Sequence, residues 1–328
     1  MRVALVLPWY GRKPWYWPLF EQSAAGVGMD VIVVAEKGFA VSAANFLVVE
    51  MSLGELRARA SDALGCDVRL ENGYKLCDLK PMYGLIFADL LKGYDYWAFG
   101  DCDVVYGRKM DDFIKRVTEG GYDVASPMSE WVSGPFTLMR NTKKVNELFM
   151  RADGWRDVLA KPGCQGFDEF GNYWFQRYCF EHVPLEDIRK EPGTFGSAVW
   201  NAQDIRFLHE DWMCEDGLSK NVVKMDGDRC LTCGGTEFAI FHFIAIKGRP
   251  FFVGRVRGRE GEFGYELTRD GYFPANAKTP RWLMVILHRC QWALEFIVRL
   301  AKGDKGEWFR VRRYVRKKLG VRQWYLEG

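Results

Sequence analysis

YDYWAFGDCDVVYG, residues 94–107, runs an aromatic and apolar strand into two carboxylates separated by a single residue. A strand of that composition is buried, and carboxylates at its end are costly unless something offsets their charge. Asp101 and Asp103, at i and i+2, project toward one loop when the backbone turns between them. Hard oxygen ligands so placed suit Mg²⁺ or Mn²⁺. A cation there can clamp a diphosphate and stabilise it as a leaving group. D-x-D triplets also occur without a metal role, so the rest of the chain has to bear on the reading.

Upstream, RVALVLPWYGRKPWYWP (2–18) opens with an apolar run, Val3 to Leu7, that breaks at Pro8 as a buried first strand entering a loop. WPLFEQSAAG (17–26) has helical spacing and ends in glycine, and MDVIVVAE (29–36) is a second strand. Strand, helix, strand favours a parallel α/β sheet. CDLKPMYGLIFADLLKGY (77–94) reads as a helix starting near Pro81 and stopped by Gly93. Downstream, RKMDDFIKRVTEGGYDVASP (108–127) gives another helix and strand, and SGPFTLMRNTKKVNELFMRAD (133–153) a strand into a helix around Thr142. From Pro192 to Phe273 short alternating apolar runs with Gly and Asp turns predict a mixed-sheet extension.

The composition, 48% apolar and 15% aromatic over 328 residues, excludes a disordered chain and allows a large core. The net charge of +3 is unevenly spread: residues 281–328 hold 12 Lys or Arg against 4 acids, a surplus of eight that leaves −5 for the first 280. The apolar stretch Trp282 to Leu300 is interrupted by His288, Arg289, Glu295 and Arg299, which argues against a membrane span. Residues 288, 291, 295 and 299 share a helical stripe. The basic tail could therefore lie on anionic phospholipid, or pack on the domain with a solvated end. Nine cysteines without a repeated spacing, and no secretory signal ahead of Val3, are read as reduced thiols of a cytoplasmic protein. Cys230 and Cys233 have zinc-knuckle spacing but lack a second pair. No Walker loop, G-x-S-x-G elbow or G-x-G-x-x-G is present, so kinase-like, serine-hydrolase and dinucleotide readings find no support. Nucleic acid is not an expected partner.

KLCDLKPMYGLIFADLLKGYDYWAFGDCDVVYG (75–107) resembles the sugar-nucleotide core of GT-A-type glycosyltransferases. It is most similar to a family of bacterial polysaccharide-locus proteins with a K-x-C-D-x-K-P-x-Y-G helix ahead of D-x-D. The likeness extends more loosely through residues 133–142, 167–169 and 241–250. The resemblance, which covers most of residues 1–250, implies an α/β, GT-A-like domain over 1–280, with a mostly parallel nucleotide-sugar half (1–150) and an acceptor half (151–280), and the residues themselves give a basic amphipathic helical tail (281–328). Asp101 and Asp103 are implied to hold Mn²⁺ or Mg²⁺, with Asp101 also meeting the donor ribose. The H-x-x-x-x-K segment looks like that of glycogenin-like retaining transferases, where the His completes the metal site and the Lys meets the diphosphate; the matching residues are His242 and Lys247. Asp78 and Lys80 resemble the pair that meets donor sugar and phosphate, and Asp168 and Glu169 the acids that position or deprotonate the acceptor.

The residues themselves leave alternatives. His242, flanked by Phe241 and Phe243, could be a satisfied core histidine. Asp78 could be a helix cap beside a solvated Lys80. Asp168 and Glu169 could complement the dipole of a helix they begin, with Glu210 and Asp211 as rival base candidates. Tyr10, on the loop after the first strand, could stack a nucleotide base, while at least two of Trp9, Trp15 and Trp17 are expected to be packing. The expected function is metal-dependent transfer from a nucleotide-sugar donor to a saccharide or lipid-linked saccharide acceptor in surface polysaccharide synthesis. The enzyme would sit in the cytoplasm or peripherally at the inner membrane face. A non-catalytic carbohydrate-binding protein or a metal-dependent nucleotidyltransferase are the other readings of the same residues.

Overall fold

A computed structural model of the chain describes residues 1–215, 223–232, 234–244, 264–268, 271–275 and 278–301. Over residues 1–215 the strands are β1 (Val3–Trp9), β2 (Asp30–Ala35), β3 (Phe46–Glu50), β4 (Tyr96–Gly100), β5 (Val104–Tyr106), β6 (Val124–Ser126), β7 (Phe136–Arg140), β8 (Phe207–His209) and β9 (Met213–Glu215). Seven of them form a sheet in the order β3-β2-β1-β4-β7-β6-β8. Every pairing in it is parallel except those of β7 with β4 and with β6. The chain is thus a mixed α/β protein built on a mostly parallel sheet.

Alternation along β1 divides the core. Leu5 and Leu7 point to one face, where Trp17, Phe20 and Ala24 of the helix Trp17–Ala25 cover them. Ala4 and Val6 point to the other, under Leu56, Ala60 and Leu64 of the helix Leu53–Leu64. Ser52 and Glu55 close a capping box at the start of that second helix, and Gly65, at φ 61°, ends it. Residues 77–94 do not form the single helix expected. The chain runs as Leu76–Leu79, a 3₁₀ turn Lys80–Met82 and Tyr83–Ile86, because Pro81 supplies no N–H and its ring blocks a continuous ladder.

The later strands are β10 (Val223–Asp226), β11 (Arg229–Thr232), β12 (Glu237–Phe238), β13 (Ile240–His242), β14 (Tyr265–Thr268) and β15 (Gly271–Pro274). Five of them make an antiparallel sheet, β12-β11-β10-β14-β15, and β13 joins a separate three-stranded sheet, β5-β13-β9. The helix Arg281–Ala301 exposes Trp282, Leu287 and Leu294. Among the described residues no helix is long and apolar enough to cross a membrane. None of the eight described cysteines is in a disulfide. Lys247, Cys233 and residues 302–328 lie outside the described residues.

Candidate metal centre and cavity

Asp101, Cys102 and Asp103 form the bend that carries the chain from β4 in the seven-stranded sheet to β5 in the three-stranded one. β13 pairs with β5 on one side and β9 on the other, in a register that sets His242 opposite both Val104 and Glu215. The Phe243 amide donates to the Asp103 carbonyl at 3.0 Å. Sheet register therefore brings together residues far apart in sequence: one ligand atom each from Asp101, Asp103 and His242 lies within 4.8 Å of the others. The Asp103 and His242 side chains are only 5% and 3% exposed, whereas that of Asp101 is 33% exposed and opens to solvent.

His242 lies between two carboxylates, Glu215 and Asp103. Its Nδ1 is 2.7 Å from Glu215 Oε1, but the buried Nε2 makes no hydrogen bond. Nε2 stands 3.3 Å from Asp103 Oδ2, within ion-pair reach and without hydrogen-bond alignment. Burial alone would lower the pKa of this imidazole; the carboxylates of Asp103 and Glu215 outweigh burial and raise it to about 10. A divalent cation bound there would compete with a proton for Nε2. Two carboxylates and an orphaned imidazole nitrogen fit Mg²⁺ or Mn²⁺.

The cluster faces a cavity of about 1060 Å³. Leu7 to Tyr10, where β1 ends, and Gly100 to Asp103, where β4 ends, line it. The two strands are parallel neighbours whose connections leave in opposite directions across the sheet, the position where open α/β sheets bind ligands. The wall carries Asp101, Asp103, Asp168, Glu169 and Glu215 against Lys80 and His242, an acid surplus even with the imidazole protonated.

Asp168 and Glu169 sit in a turn rather than at a helix start; the next helix is Trp174–Phe180. The helix-dipole alternative therefore lapses, and both acids face the cavity. Asp168 Oδ2 lies 3.2 Å from Lys80 Nζ. Glu169 accepts from the Gly134 amide at 2.9 Å and from Trp174 Nε1 at 2.8 Å. Burial pushes both acids above the usual carboxylate range, Asp168 to about 6 against the pull of Lys80, and Glu169 to about 7 with the Asp168 charge adding to burial. Gly134 must be glycine for this packing, since a Cβ there would stand 2.8 Å from Asp168 Oδ2 and 3.0 Å from Glu169 Oε1.

Several expected contacts are arranged differently. Lys80 is not solvated: buried at the cavity wall, it reaches Asp101 at 2.9 Å, Asp168 at 3.2 Å and the Gly134 carbonyl at 3.0 Å, which uses its three donors. Burial disfavours its charge, but the two carboxylates prevail and hold it protonated. Asp78 lies beneath the cavity, with no exposed surface, and neither caps a helix nor meets the cavity. It pairs with Lys75 at 2.8 Å and accepts from the amides of Gln165 and Phe167, so it anchors the loop that leads into Asp168. Tyr10 lines the cavity, its hydroxyl donating to the Met51 carbonyl at 3.1 Å. Trp17 is core, Trp15 packs on Tyr16 and Phe243, and Trp9 borders the cavity. Glu210 is held by Arg116 and Trp212, and Asp211 by the Ser129 amide; neither lines the cavity. Glu215 and Gly134 were not expected at the site. Both arrive through tertiary pairings that no local pattern announces.

Among solved structures, mouse xyloside xylosyltransferase 1 in its apo form is similar over 76% of this chain and 99% of its own, at 10% identity and a TM-score of 0.38. The glycosyltransferase GlyE of Streptococcus pneumoniae TIGR4 is similar over 59% of this chain and 53% of its own, at 14% identity and a TM-score of 0.25. Neither likeness is close enough to carry a residue role or a reaction to this chain. No curated protein matches it. Residues 5–245 match the profile of the family described as "Family of unknown function (DUF6625)", and the chain belongs to that family.

Proposed function

We propose that the protein is a metal-dependent glycosyltransferase of GT-A type, moving a sugar from a nucleoside diphosphate sugar to a saccharide or lipid-linked saccharide acceptor. The observation that carries this reading is the Asp101, Asp103 and His242 cluster, with its orphaned Nε2, on a cavity at the carboxyl ends of β1 and β4. Asp101, Asp103 and His242 would hold Mn²⁺ or Mg²⁺, which supplies positive charge to a diphosphate leaving group.

Tyr10, on the cavity wall, would stack a nucleotide base. Lys80 would act on the reaction by pairing with Asp101 and Asp168 and holding them in place rather than by touching phosphate. Asp168 orients an acceptor hydroxyl. Glu169, with a raised pKa and two donors on its carboxylate, can hold a proton near neutrality and is the candidate acid or base. Lys247 is assigned to the diphosphate by resemblance. The same resemblance leans toward retention of anomeric configuration and toward surface polysaccharide as the product. The basic tail would favour an anionic membrane surface.

The experiment is transfer of label from a panel of nucleotide sugars to oligosaccharide acceptors, with and without Mn²⁺, for wild type and Asp103→Ala. Metal-dependent release of a nucleoside diphosphate, lost in the variant, supports the reading. Release of pyrophosphate or a nucleoside monophosphate contradicts it, and product NMR gives the anomer.

A further inference from the structure

We infer that Glu215 is a positioning residue of the metal centre: its carboxylate holds the Nδ1–H of His242 and so presents the Nε2 lone pair to the cation. This rests on the metal reading above. Glu215 ends β9 and His242 ends β13; the two strands are parallel and in a register that sets these residues side by side. The ring is buried, and the 2.7 Å contact from Nδ1 to Glu215 Oε1 is the hydrogen bond it makes, leaving Nε2 turned toward Asp103 without one. An imidazole has two nitrogens and, when neutral, one proton. A carboxylate fixed on Nδ1 keeps the proton there, makes Nε2 the donor atom and raises its basicity. Removing such a partner typically weakens metal binding about 10- to 100-fold.

The β5-β13-β9 sheet also explains how these groups come together. Asp103 precedes β5, His242 ends the middle strand and Glu215 ends β9, so carboxylate, imidazole and carboxylate lie in a row across three strand ends. Asp101 reaches the row from the same turn as Asp103. Glu215 itself touches the far side of the ring, away from Asp103, and acts through His242.

Mn²⁺ affinity, read by electron paramagnetic resonance of the free ion, tests this on full-length Glu215→Ala, Glu215→Gln and Glu215→Asp. Glutamine keeps an acceptor at the same reach and loses the charge; aspartate keeps the charge and falls short of Nδ1. A positioning role predicts that Glu215→Gln retains more affinity than Glu215→Asp, and that Glu215→Ala loses about 10- to 100-fold. Wild-type affinity in Glu215→Ala, or affinity kept by aspartate and lost by glutamine, overturns the inference while the metal site stands. Absence of Mn²⁺ binding in wild type overturns the metal reading and this inference with it. Should Glu215→Ala fail to fold, the order of the other two decides. With four histidines in the chain, ¹⁵N spectra of the Mg²⁺-loaded protein give an independent check: His242 should be protonated at Nδ1 alone in wild type and in Glu215→Gln.

Discussion

Lys80 Nζ lies 2.9 Å from Asp101 Oδ1, and through the same ammonium Asp101 is tied to Asp168. One buried cation thus links the carboxylate at the end of β4 to the acid pair on the 167–170 turn. Asp101 enters the site already charge-balanced, and Asp103 with His242 provides the deeper half.

Removing the ammonium strands the buried Asp168 carboxylate and leaves the partly exposed Asp101 without its partner. Lys80→Met should cost about 3–5 kcal/mol of stability, as breaking one side of a buried ion pair does. Urea unfolding monitored by tryptophan fluorescence measures it. A wild-type midpoint would mean that Asp101 and Asp168 are neutral or solvated without Lys80.

Gly134→Ala should separate activity from folding. The added Cβ would meet Asp168 Oδ2 at 2.8 Å and Glu169 Oε1 at 3.0 Å, so these side chains have to move. The expected stability loss is ~1–3 kcal/mol, typical of overpacking, with a larger proportional loss of transfer. Unchanged transfer would show that the acid pair is not placed for chemistry.

Stability should fall as pH rises. Asp168 and Glu169 titrate at about 6 and about 7 in the folded chain, above their unfolded values near 4, so the native state holds protons that the unfolded state has released. Their protonation stabilises at low pH, and that stability is lost as pH rises through 6 and 7. His242, raised to about 10, acts in the same sense: its imidazolium contributes fully below about 6.5 and is lost as pH passes 10. Urea midpoints in EDTA should therefore decline from pH 6 to pH 9, and Glu169→Gln should flatten the first part of the decline. A rise over that range contradicts the assigned shifts.

The strands β1, β2, β4, β6 and β7 and the Asp101–Asp103 turn were legible because apolar runs, glycine stops and a carboxylate pair are local signals. The helix around Thr142 was legible too, and Thr142 proves to cap it, accepting from the Val145 amide. β3 escaped notice because its FLVVE run is short and half-exposed at a sheet edge. Asp78 and Lys80 were recognisable as a charged pair, but not as buried: what covers them is the 164–168 segment, nearly ninety residues later. Glu215 could not be read at all, since its role depends on the pairing of β9 with β13. Local chemistry is written locally, and the partner that tunes it is set by sheet register.

The central claim is that Asp103 and its neighbours hold a cation that serves a nucleotide. A thermal-shift panel of nucleoside diphosphates and nucleotide sugars, each with and without Mn²⁺, on wild type and Asp103→Ala tests it most directly. The account predicts stabilisation that requires both Mn²⁺ and one nucleotide and vanishes in the variant. Equal shifts in Asp103→Ala, or no response of wild type to any nucleotide with Mn²⁺, would contradict it.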